Sequence, residues 1–225
     1  LSLLPLLVDA IDGASGEVEL DIAVAGRVAA PGLTGVARFA DGTLDFYQTN
    51  LRLRDLAGSV RLHDESLSLE ASGRAGDGTL AIEGQMGWRE RQLHGELALT
   101  GERLLLANVP EARIYASPDL RFRLDGRRIA VTGEVVVPEA CIQPADTAGA
   151  VLVSADERIL QPEAGPGAGG RFAVTSDIRL SMGDKVQVRA FGLSAAISGA
   201  VRARMQPQGA TTATGEFEVA QGVYR

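Results

Sequence analysis

One cysteine, two histidines and a shortage of aromatic rings already define much of what this 225-residue chain cannot be. Cys141 stands alone, so the chain holds no disulfide framework, no cysteine-rich zinc site and no redox pair. His63 and His94 each lie in a strand-like context beside acidic residues, with no HExxH motif or Cys/His cluster, and read as surface or satisfied histidines rather than metal ligands. Aromatics are 4% of the residues while apolar types reach 45%, so whatever packs inside is built from Leu, Val, Ile and Ala. The formal net charge is -7, opposite to the Lys- and Arg-rich balance that a nucleic-acid binder uses to neutralise phosphates. No metal, cofactor or nucleic acid is expected.

Catalytic signatures are missing as well. The GPGAGG stretch at 165–170 fits GxGxxG in form, but that fingerprint needs a strand before it and a helix after it. Pro166 and the absent helix make it a flexible loop. Ser194 lacks the second glycine of a nucleophile elbow and reads as a strand serine. The acid pairs Asp64-Glu65 and Asp156-Glu157 would point to opposite faces of a strand, so they read as solvated turns. No residue takes a catalytic role, and the chain reads as a non-enzyme.

What is present is alternation. From Glu17 onward Val18, Leu20, Ile22 and Val24 point one way while Glu17, Glu19 and Asp21 point the other. The period of two returns at Leu67 and Leu69, Leu80 and Ile82, Leu97 and Leu99, and Leu120, Phe122 and Leu124. It continues through Ile129, Val131, Val135 and Val137, then Val186 and Val188, and finally Ile197, Val201 and Met205 opposite Arg202 and Arg204. About seventeen candidate strands follow, stacking to roughly 80 Å in one sheet. The 27 glycines, spread without a period, fit frequent turns. Asp41-Gly42 and Asp125-Gly126 predict type I′ hairpins. With no helical crossover between strands, the sheet is expected to be a mostly antiparallel meander. Arg52, Arg54, Arg121, Arg123, Arg202 and Arg204 read as a solubilising outer face.

Only residues 1–12 suggest a helix, with Leu3, Leu4, Leu7 and Ile11 near helical spacing and Pro5 keeping it short. The expected organisation is a helical lead-in over 1–14 and one β domain over 15–225, with a mobile loop at 145–170. The chain starts at Leu1 and stops just after a strand-like run, which reads as a piece of a longer protein.

A sheet with one apolar face needs cover, because exposed apolar patches are normally limited to a few hundred square ångströms. It can fold into a sandwich, close into a barrel or curl into an open trough filled by a ligand. Short strands and few aromatics weigh against a transmembrane barrel. A lectin-like or immunoglobulin-like sandwich, as in a secreted adhesin or carbohydrate-binding protein, usually carries a ring cluster, and Trp88 is the only indole.

The block SGEVELDIAVAGRVAAPGLTGVARFADGTLDF at 15–46, marked by Gly16, Gly26, Pro31, Gly35 and Asp41-Gly42, resembles a repeat-like segment of AsmA-like proteins, especially the TamB family. The segments at 183–205 and 215–225, with Gly192, Leu193, Gly199, Gly215 and Gly222, are similar to the conserved region near that family's C-terminus. Pro138 to Pro144 and Ser154 to Asp156 are similar to its proline-led middle, with Glu157 and Arg158 replacing an apolar continuation.

The resemblance implies a curled β-taco in the periplasm of a Gram-negative bacterium, in a parent protein anchored in the inner membrane. It implies passage of phospholipid acyl chains toward the outer membrane, and support of outer-membrane protein assembly with an Omp85-type partner, TamA. The chain stops at Arg225, before the strands that would meet that partner, so the partner is assigned to the parent protein. Nascent outer-membrane strands are a second cargo, held by edge pairing. The expected trough floor is Val18, Leu20, Ile22, Val24, Leu80, Ile82, Leu97, Leu99, Ile129, Val131, Val135, Val186, Val188, Ile197, Val201 and Met205.

Overall fold

Alternation at one-residue precision assembles a single sheet. The computed structural model describes residues 12–27, 30–89, 92–144, 172–190, 193–207 and 211–224. Twelve strands join that sheet: β1 (Gly13–Arg27), β2 (Ala30–Phe46), β3 (Leu51–His63), β4 (Ser66–Ala75), β5 (Gly78–Arg89), β6 (Gln92–Glu102), β7 (Leu104–Val109), β8 (Ala112–Asp125), β9 (Arg128–Ile142), β10 (Ala173–Ala190), β11 (Leu193–Met205) and β12 (Thr212–Tyr224). Of the helical lead-in expected over 1–14, residues 1–11 lie outside the described residues, while Asp12 is a bend and Gly13 and Ala14 already belong to strand β1, where they pair with Asp45 and Leu44; the loop reading of 145–170 lies outside the described residues.

The strands are fewer and longer than their apolar runs suggest, because several run straight through turn-like residues. Asp41-Gly42, read as a hairpin turn, sits inside β2 as a bulge: Asp41 has φ 50°, and the register with β3 shifts between Phe39 and Gly42. Asp125-Gly126 does reverse the chain, between β8 and β9. Gly126, at φ 59°, is the first of the two central residues, and Arg127 is not among those with positive φ, which is the type II′ pattern rather than type I′.

Strand order is β1-β2-β3-β4-β5-β6-β8-β9-β10-β11-β12, with β7 paired to β8 off this path. The pure meander is broken where β6 pairs with β8 past β7 and where β9 and β10 pair in parallel. Eleven strands in line span about 50 Å at ~4.8 Å each, shorter than the 80 Å expected. β1 and β12 each pair on one side only, so neither a two-sheet sandwich nor a closed barrel forms among the described residues. With β-strands of up to 18 residues, strand length no longer argues against a barrel; the unpaired edges do.

A line of register breaks crosses the sheet. It begins at Ser15/Glu17 in β1 and passes Phe39/Gly42 in β2 and Arg54/Ala57 in β3; the β4–β5 and β5–β6 pairings run without a break, with Gly73, Leu80 and Gly101 in register at the same level. Arg103, with φ 47°, separates β6 from β7, and the line resumes at Tyr115/Ser117 in β8, Met182/Lys185 in β10 and Ser194/Ala196 in β11. Each bulge bends its strand, so the sheet bends along this line on both sides of the regular β4–β6 region. The buried hydrophobic residues Ala75, Leu104, Ala116, Val137, Ala140, Val186 and Ala195, at 0–7% exposure, all lie on the crease or just beyond it. A flat single layer cannot hide side chains that well, since one side of each faces solvent. The crease therefore separates a long wall from a short wall and holds the core between them.

The short wall is deepest around β7 to β11. There Val137, Ala140 and Val186 pack with Ile114, Ile142, Leu180, Met182 and Ile197. β7 pairs with β8, yet it also lies against the β4–β5 turn: a Cβ placed on Gly76 would sit 2.9 Å from Leu105 Cβ. The Asn50 side-chain amide donates to the Asn108 carbonyl at 2.9 Å, tying the β2–β3 connection to β7 as well.

Candidate functional site

Pairing partners in a sheet point to the same side, so the register itself draws the apolar surface. One row runs through Leu20, Ala37, Val60, Leu69, Gly84, Leu97, Phe122, Val131, Ser176 and Met205. A second runs beside it through Val18, Phe39, Gly58, Ala71, Ile82, Leu99, Leu120, Gly133, Ile178 and Ala203. A third joins Ile22, Gly35, Leu62, Leu67, Met86, Gly95, Leu124, Ile129 and Val174. No charged residue interrupts any of them, and Ser176 is their one hydroxyl.

All sixteen residues expected on the floor fall on this one face. Val18, Leu20, Ile22, Ile82, Leu97, Leu99, Ile129, Val131 and Met205 sit in the three rows, and Val24 extends β1 in the same phase. Leu80, Val135 and Val201 line the long wall next to the crease, while Val186, Val188 and Ile197 belong to the short wall. Burial grades along this face from strand to strand. The β1 residues are 44–69% exposed, as are Phe217 and Val219 on β12 at 52% and 61%. Leu80, Ile82, Leu97, Leu99, Ile129 and Val131 in the middle are half-buried.

The alternation did not assign the rest of the surface. Phe39, Leu69 and Phe122 fill the rows between expected residues. Leu104, Ile114, Ala140 and Met182 build the short wall, where bulges break the period of two. The three-leucine run at 104–106 and the apolar residues flanking Pro138 were the available signals.

The opposite face is polar and carries several cross-strand ion pairs. Glu96 meets Arg123 at 2.7 Å, Glu70 meets Arg61 at 3.3 Å, and Glu134 meets Arg179 at 3.5 Å. Asp177 takes two guanidiniums, Arg202 at 2.5 Å and Arg204 at 3.3 Å. The Arg202 hydrogen bond, with Arg204 adding to it, holds the Asp177 carboxyl below its usual range. Arginine stripes on the outer strands are thus largely taken up by neighbouring carboxylates. His94 lies 2.9 Å from Asp125, and His63 lies exposed beside Asp64 at 3.7 Å. No cluster of three metal-ligating side chains occurs among the described residues. Ser194 is exposed on β11, and Asp64-Glu65 forms the β3–β4 turn.

A single open sheet, creased lengthwise around an aliphatic floor, is thus joined to a matching sequence signal: residues 65–225 match the family described as TamB C-terminal domain. The chain belongs to the TamB family. That match takes in β4 to β12 and includes the segments at 183–205 and 215–225, while the block at 15–46 lies before it. TamB proteins belong to the Gram-negative envelope and are involved in outer-membrane protein assembly and lipid transport. No solved structure matches the chain. Among its described residues no helix is long and apolar enough to cross a membrane.

Proposed function

We propose that this TamB domain carries phospholipid acyl chains along its trough between the inner and outer membranes, in the periplasm, within a parent protein anchored in the inner membrane. Through that supply it supports outer-membrane assembly together with an Omp85-type partner, TamA. The observation that carries this reading is the set of uncharged rows running from strand to strand along the sheet. An acyl chain lying along them gains about 0.8 kcal/mol per methylene buried, with no need for a specific pocket. Its head group stays in water at the open mouth of the trough. This reading needs no chemical step.

A second reading has one observation in its favour: among the described residues β1 pairs on one side only and carries an exposed apolar stripe, the kind of template an incoming outer-membrane strand would use. Mass spectrometry of lipids retained by the purified protein tests the first reading. Wild type should retain phospholipid and a folded Ile82→Arg variant should lose most of it. Equal retention by the two, or none by wild type, contradicts it.

A further inference from the structure

Each of the three apolar rows contains a glycine between β3 and β6, and none of these glycines leaves an empty hollow. Gly58, in the second row, pairs with Phe39. A Cβ placed on it would sit 2.6 Å from Phe39 Cζ, so the ring lies across the glycine. Gly84, in the first row, pairs with Leu97, and Gly95, in the third, pairs with Met86. A Cβ on Gly84 would overlap Leu97 Cδ2, and one on Gly95 would sit 2.7 Å from Met86 Cγ. Phe39, Leu97 and Met86 are all half-buried.

Side chains on a strand stand roughly perpendicular to the sheet, so an upright Phe, Leu or Met would rise into the space above the floor. Laid over a cross-strand glycine, the same side chain fills a hollow instead and covers the backbone that the glycine leaves bare. Neither Gly58 nor Gly84 has positive φ, so space rather than backbone conformation calls for glycine there. That space has two sides. The added Cβ would also press on the next backbone, on Ala71 Cα of β4 at 2.9 Å from Gly58 and on the Glu96 carbonyl of β6 at 2.6 Å from Gly84. At Gly58 the ring belongs to β2 and the backbone to β4, so the two contacts can be separated by substitution.

We propose that Gly58, Gly84 and Gly95 set the clearance of the trough: they hold Phe39, Leu97 and Met86 flat, and so keep the floor low enough for an acyl chain to lie along the rows. They are positioning residues, acting through the side chains they receive. On the acyl-chain reading, on which this rests, a floor glycine replaced by a larger residue lifts its neighbour into the path of the lipid.

Phospholipid retained by the purified full chain tests it, measured by mass spectrometry with circular dichroism as the folding check. Gly58→Ala should retain about tenfold less than wild type, the equivalent of about two methylenes of lost contact. Gly58→Ala/Phe39→Ala should recover most of that loss, because no ring is left to lift. If Gly58 serves only to spare the β4 backbone, the double variant retains no more than the single one, and the proposal is overturned. Should Gly58→Ala not fold, Phe39→Trp overfills the same hollow without pressing on β4 and should lower retention in the same direction. A folded Gly58→Ala or Phe39→Trp variant that retains as much lipid as wild type overturns this inference alone. Wild type without lipid overturns the acyl-chain reading and this inference with it.

Discussion

Arg103, at the break between β6 and β7, reaches the Glu139 carboxylate on β9, with Nη2 3.3 Å from Oε2, while its guanidinium lies 5.1 Å above the Tyr115 ring of β8. Its backbone N–H also donates to Ser117 Oγ at 3.0 Å. One residue in left-handed conformation thus ties three strands together where the sheet folds.

Replacing Arg103 by Ala removes both side-chain contacts and keeps a Cβ at positive φ, so it should destabilise the fold by about 1 kcal/mol. Arg103→Gly loses the same contacts but sheds the left-handed penalty of about 1 kcal/mol, and should lie near wild type. Urea denaturation of the pair separates the two effects.

The crease, not the long wall, should carry most of the packing energy. Leu104→Ala, at a site 4% exposed, should cost about 3 kcal/mol. Leu20→Ala, at a site 67% exposed, should change stability by less than about 0.5 kcal/mol. Equal losses in thermal or denaturant unfolding would show that the core lies elsewhere.

The bulge in β3 puts exposed Asp55 at φ 53°. Asp tolerates that region better than β-branched residues do. Asp55→Gly should raise stability by about 0.5 kcal/mol, and Asp55→Val should lower it by about 1–2 kcal/mol. Losses of the same size for both would mean that the Asp side chain, rather than the backbone, holds the bulge.

These bulges mark where the sequence stops being legible. Asp41-Gly42 and Asp125-Gly126 are the same dipeptide, yet one bends a strand and the other reverses the chain. The difference lies in the neighbours: β1 and β3 flank β2 on both sides and continue past Asp41, whereas β8 and β9 pair with each other across Gly126. Local turn chemistry encodes the positive φ but not what the flanking chain does next. The choice of face was legible throughout, because a slip of one residue would expose every apolar side chain of a strand. The short wall was not, because Ala116, Pro138 and Gly183 interrupt the alternation there. Likewise the parallel β9–β10 pair depends on the path between Ile142 and Ala173, which carries no periodic signal.

Asp177 gives the outer face a pH signature. Its carboxyl is held below the ordinary 3.8, first by the Arg202 hydrogen bond. The stability from that lowered value is fully present above the unfolded-state pKa and is lost as pH falls through the folded-state one. Asp177→Asn should therefore melt below wild type at pH 7, and the gap should shrink as the pH is taken down through the acid range. A gap that is constant with pH would remove the ion pair as its cause.

If the uncharged rows carry acyl chains, they and not the polar face hold an aliphatic chain. A photo-crosslinking residue placed in turn at Leu97 and at Glu96, neighbours on β6 that face opposite sides, tests it most directly in cells. Phospholipid adducts are expected at position 97 and none at position 96. Adducts equally frequent at both positions, or absent from 97 in a folded protein, would contradict it.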